Sequence, residues 1–152
     1  MDVILADIIQ GESVVDGIFA AMAPAKVGFR LALVQRKLAP ILAEYQAARN
    51  RLVQKHGVES NKRKGRYHFY VDETAEEPET DTERLAAFNT AMTDLASALV
   101  DVDFYITLSD LEKIEAGLSA DDLAAVMWLV KEGQAAYAEM LLQDDQDGED
   151  DV

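Results

Sequence analysis

The side chains most able to do chemistry in this sequence are carboxylates. It has 29 Asp and Glu against 14 Lys and Arg and two His, a formal net charge of -15. Convergent carboxylates hold divalent cations. Asp101 and Asp103 stand two apart in a segment that reads as a strand, so both project to one side. Asp144, Asp145, Asp147, Glu149, Asp150 and Asp151 crowd the C-terminus. That tail lacks the ligand order of an EF-hand and its glutamate at the twelfth place, and the Asp101–Asp103 pair reads as a solvent-facing strand flank. No metal site is therefore expected. His68 lies among Tyr67, Phe69 and Tyr70 with no nominated base or nucleophile beside it, so a local hydrogen bond or solvent is its expected partner. The absence of cysteine excludes disulfides and thiol chemistry. No glycine-rich phosphate loop, HExxH or GxSxG occurs. The sequence nominates no catalytic residue and no cofactor, and a non-enzymatic protein is expected.

The charge is unevenly placed. Residues 1–25 carry four acids and no base, residues 26–66 a balance of +9, and residues 72–152 a balance of -20. Lys62, Arg63, Lys64 and Arg66 form a basic patch beside Tyr67, Phe69 and Tyr70, a combination that can hold single-stranded nucleic acid. Four bases are a small footprint on a molecule whose net charge repels a polyanion, so direct nucleic-acid binding is not expected. The converse reading is an acidic mimic of DNA that occupies a nucleic-acid-binding protein. Acids placed in loops and a tail argue against the rigid lattice this requires.

These residues must be carried by elements, and the longest is legible at once. Val27, Leu31, Val34, Leu38, Ile41, Tyr45, Ala48 and Leu52 repeat at spacings of four and three, which keeps one stripe on one side of a helix over 24–56. Pro24 suits its first turn, Pro40 predicts a kink without a break, and Gly57 predicts a stop through a positive φ. Further helices are expected over 13–22, 82–99, 109–116 and 119–142, capped by Ser13, Thr82, Ser109 and Ser119, the last with Asp122 as an acidic capping box. The aromatic run 67–71 and the alternating run 102–106 read as two strands paired with each other. Residues 3–9, VILADII, are a short strand or a first helical turn.

The expected fold is α+β and mostly helical. A long central helix packs against two later helices, with one small two-stranded antiparallel sheet. Residues 1–142 form a single domain and residues 143–152 a mobile acidic tail. The long helix outruns its neighbours, so part of its stripe, or the segment 3–22, is expected to meet another subunit in a homo-oligomer. Trp128 either fills the core or anchors a partner. The candidate partner interface is Val3, Ile4, Leu5, Ile8, Ile9 and Trp128. No apolar run is long enough to cross a bilayer. The opening residues lack the basic flank of a secretory signal, so an intracellular protein is expected, including one made by a virus inside its host.

Glu44, Arg49, Leu52, Val53, Lys55 and Gly57 form an ExxxxRxxLVxKxG segment at the end of the long helix. A loop, a strand, an acidic region and a helix follow, then ITLSDLEKIEAGLSADDL. Over residues 27–130 this layout resembles uncharacterised small helical proteins of tailed bacteriophages and prophages. No active site is assigned in that group, so the resemblance transfers no functional residue. It implies a protein working through protein–protein contacts, in virion assembly or on a host factor, located in the host cytoplasm or the particle.

Overall fold

The computed structural model describes residues 1–147, with side chains through Asp145. The chain opens with β1 (Asp2–Ile4), α1 (Leu5–Gln10) and α2 (Glu12–Ala20), followed by α3 (Ala25–His56). A hairpin of β2 (Val58–Glu59) and β3 (Tyr67–His68) leads to α4 (Thr82–Ala96) and β4 (Leu99–Asp101). Three further helices follow: α5 (Leu108–Glu112), α6 (Ala120–Ala125) and α7 (Lys131–Asp147). The fold is mostly helical, with α3 packed against later helices as its stripe requires. Two small antiparallel sheets replace the single one expected.

The chain divides into two compact units, Met1–Pro40 with Ala98 onward, and Ile41–Ser97. The division falls at Pro40 inside α3, which continues through the proline without a break. In the first unit β1 pairs with β4, with Val3 opposite Val100. Val3, Leu5, Ile8, Val15 and Ile18 are buried together with Val27, Leu31, Val34 and Leu38 of α3. The strand expected over 102–106 does not form: the regular strand is β4, Leu99–Asp101, and beyond it only Ile106 makes a bridge, although burial still alternates. Val102, Phe104 and Ile106 are buried and Tyr105 is exposed, as alternation demands. The backbone of this segment, however, bonds Met1 and Leu129, not residues 67–71: Val102 N–H donates to the Met1 carbonyl at 2.8 Å and Ile106 N–H to the Leu129 carbonyl at 2.9 Å.

The helix expected over 119–142 is two helices. Val126, Trp128, Leu129 and Val130 are all buried, and a helix cannot turn so contiguous a run to one side. The segment instead leaves the helix and bridges Ile106 through Val130. Caps shift for similar local reasons. Asp81, not Thr82, caps α4 by accepting from Arg84 N–H at 3.2 Å. Thr107, not Ser109, caps α5 in a reciprocal box with Asp110. Gly11 precedes α2, whose first residue is Glu12, and Ser13 caps nothing. The Ser119–Asp122 box on α6 forms as read, with bonds of 3.1 and 2.9 Å. Residues 143–147 belong to α7, so the expected tail begins later than 143. Its mobility beyond 147 lies outside the described residues.

In the second unit, β2 pairs with β3, placing Val58 opposite His68, and Phe69 packs on Phe88 of α4 with ring centroids 5.0 Å apart. Gly57 does not adopt a positive φ; among the described residues only Gly65 and Gly117 do. Gly57 is needed for closeness instead. A Cβ there would lie 2.7 Å from the Val53 carbonyl oxygen and 3.2 Å from Tyr67 Cβ.

Candidate interaction surfaces

Asp101 and Asp103 are engaged separately, Asp144 and Asp145 are exposed, and the other tail carboxylates lie outside the residues whose side chains are described. Asp101 accepts from the N-terminal ammonium at 3.0 Å, while Asp103 pairs with Lys37 of α3 at 3.1 Å. Among the described residues, no three His, Cys, Asp or Glu side chains gather closely enough to hold a metal ion. His68 stacks on Tyr70 with centroids 5.7 Å apart, accepts from the Tyr70 N–H at 3.1 Å and lies 3.7 Å from Glu73. Its surroundings are those of a loop anchor. Glu73 also accepts from Asn61 N–H at 2.7 Å. The Ser60 hydroxyl and that amide, with smaller contributions from His68 and Lys62, hold its carboxyl below the usual glutamate value.

The first unit contains two polar contacts that fix its elements. Tyr137 of α7 is buried; its hydroxyl donates to Asp7 at 2.6 Å and accepts from Ile4 N–H at 3.0 Å. Burial and the Asp7 carboxylate push the phenol far above its ordinary value. Asp110 of α5 is the other, a carboxylate that is 3% exposed and paired with Arg30 of α3. Its second oxygen closes the capping box by accepting from Thr107 N–H at 3.3 Å. Tyr137 has both its hydrogen bonds inside the chain, whereas Asp110 Oδ1 has the Arg30 ion pair and no hydrogen bond.

The structure separates the expected interface from the surface. Val3, Leu5, Ile8 and Trp128 are between 0% and 5% exposed, and Ile4 and Ile9 are half-buried. The cause is the β1–β4 pairing and the break before α7, which fold the N-terminal segment and the Trp128 segment into one core. The indole N–H of Trp128 donates to the Ala125 carbonyl at 3.2 Å, and Gly11 lies against both residues. Trp128, Val3, Leu5 and Ile8 fill the core, and of the six only Ile4 and Ile9 are partly exposed.

Lys62, Arg63, Lys64 and Arg66 are all exposed on the loop between β2 and β3. The loop is tied by Ser60 N–H to the Arg66 carbonyl at 2.7 Å and by Gly65 N–H to Glu59 at 3.1 Å. It therefore presents its bases in a set order, but Glu59, Asp72, Glu73 and Glu76 lie on the same unit.

Outward apolar side chains occur elsewhere. In the first unit, Leu108 and Leu123 are 42% and 36% exposed and stand at the junction of two adjoining hollows of about 280 and 290 Å³. Met127 and Val130 line one of them, and Leu111 and Ile114 the other. Glu132 and Glu112 supply acid at the two ends, and Glu132 is held there by accepting from Leu108 N–H at 3.0 Å. Phe29 and Leu33, one turn apart on α3, form a second exposed pair, flanked by Lys26 and Arg30. Reading the sequence as stripes hid both sets. Phe29 and Leu33 lie off the Val27–Leu38 stripe, which is their one available signal, and Leu123 falls in the expected 119–142 helix, which the break at 126–130 divides.

Among the described residues, no helix is long and apolar enough to cross a membrane. No family model, curated protein or solved structure matches the chain.

Proposed function

We propose that this is a non-catalytic, phage-type protein that works through protein–protein contacts, in virion assembly or on a host factor. The observation that carries the reading is the apolar groove centred on Leu108 and Leu123, ended by Glu112 and Glu132. Apolar anchors set in hollows dominate most protein interfaces, and peripheral charge steers the encounter. An apolar floor with acidic ends fits an amphipathic segment that carries Lys or Arg beside its apolar anchors. The resemblance of the sequence layout to tailed-phage proteins is the support for a phage context, with the host cytoplasm or the particle as the proposed place of action.

A second reading, the acidic mimic of DNA, is favoured by one observation. Glu132, Glu139, Asp144 and Asp145 are exposed along α7, so this acid is carried on a helix rather than on a loop. Salt separates the two. A complex built on the groove keeps its affinity within a few-fold between ~0.05 and ~0.2 M salt, whereas a phosphate-mimicking complex loses about 10-fold or more. The measurement is capture on immobilised full-length protein from phage-infected cells, with elution by stepwise salt and assay of purified particles for the chain. Release of a nucleic-acid enzyme alone at moderate salt, with no chain in particles, contradicts the assembly reading.

A further inference from the structure

We propose that the unit Ile41–Ser97 is completed by a second copy of this chain, which packs its own α3 segment 41–56 and α4 against those of the first in a two-fold arrangement. This rests on reading the protein as one that acts by contact, and it goes further by naming the surface and the partner.

The first observation is burial. No side chain between Ile41 and Ser97 is buried. The α3 stripe changes character at Pro40: Leu31, Val34 and Leu38 are buried, while Ile41, Tyr45 and Leu52 are only half-covered. The α4 stripe is half-covered throughout, at Leu85, Phe88, Met92 and Leu95. A two-residue-per-strand hairpin is marginal by itself, and two helices with no fully buried side chain between them leave the unit with little core, so covering their stripes with a second pair would add stability. Two helices presenting half-covered stripes become a four-helix bundle when doubled.

The second observation is charge, which selects a copy of the same chain. This unit has eight Lys and Arg against ten Asp and Glu, a net of -2 out of the -15 of the whole chain. It is where two copies meet with least repulsion. The bases lie mostly before Arg66, on α3 and the β2–β3 loop, and the acids mostly after Asp72, before and along α4. A two-fold axis sets each patch against its counterpart in reverse order, so the basic part of one copy faces the acidic part of the other.

The test is sedimentation of the full chain from ~1 to ~100 μM, with amide hydrogen exchange measured at both ends of that range. The expected result is a mass of two chains at high concentration, with exchange in 41–56 and 82–96 slowed about 10-fold or more relative to dilute protein. Met92→Glu should give a one-chain mass. If that variant loses its helical signal, the concentration dependence of the unaltered chain decides. A one-chain mass throughout, an assembly of any other size, or concentration-dependent protection confined to Met1–Pro40 and residues after Ala98 overturns the proposal. A monomer would keep the Leu108–Leu123 groove, so failure here leaves the contact reading to its own test.

Discussion

Gly11 and Tyr137 bear on the same part of the core, and each makes a prediction. A Cβ on Gly11 would meet the Ala125 carbonyl oxygen at 2.7 Å and the Trp128 indole nitrogen at 3.3 Å. Neither is the free end of a flexible chain, since one is backbone and the other is held by that same carbonyl. Gly11→Ala should lower stability by about 1–3 kcal/mol through overpacking, measured by urea denaturation. Tyr137→Phe removes the bonds to Asp7 and Ile4 and leaves a carboxylate without its donor, at a cost of about 1–3 kcal/mol. The phenol also sets a pH dependence. Its proton is held more tightly folded than unfolded, so above pH 10, the ordinary tyrosine value, the unfolded chain releases a proton that the folded chain keeps. Stability should be unaffected by this group below that pH and fall as pH rises beyond it. Tyr137→Phe should flatten that alkaline decline, and an unchanged slope would show that Tyr137 is not its source.

At the scale of elements, α3 is the part most fully legible. Its four-and-three spacing set the helix, and Val27, Leu31, Val34 and Leu38 are buried along it. Leu38, at 2% exposure, is the place to test this. Leu38→Asp should cost at least about 3 kcal/mol, because truncating a buried leucine alone costs roughly 2–5 and the carboxylate would have no partner. Near-native circular dichroism and melting would contradict the packing of α3. The segment 102–106 was legible in phase and not in pairing. Alternation shows which side of 102–106 faces inward, but pairing depends on which backbone the fold brings near, and Met1 and Leu129 are distant in sequence. Leu99 shows the same limit: it fits the periodicity of α4, yet it lies in β4 and is 61% exposed. Of the expected interface, only apolarity was legible. An apolar segment at a terminus can serve a partner or the core, and the N-terminal segment serves the core because β4 offers it a sheet edge.

For the whole molecule, charge and exposed apolar surface are distributed differently. Nearly all of the net charge belongs to the unit made of Met1–Pro40 and the residues from Ala98, which also carries the Leu108–Leu123 groove. A net charge of -15 steers cationic partners toward the molecule and slows encounter with acidic ones, so it favours a partner with basic character. The proposed working surface is this groove. It is tested most directly by capture from phage-infected cells on two baits, the unaltered chain and Leu108→Glu/Leu123→Glu, both shown to be folded by circular dichroism. Both side chains are partly exposed, so the substitutions should leave the fold intact while placing charge at the centre of the groove. The expected result is a protein retained at ~0.5 M salt by the unaltered chain and reduced about 10-fold or more on the variant. Equal recovery of the same protein on both baits would contradict it.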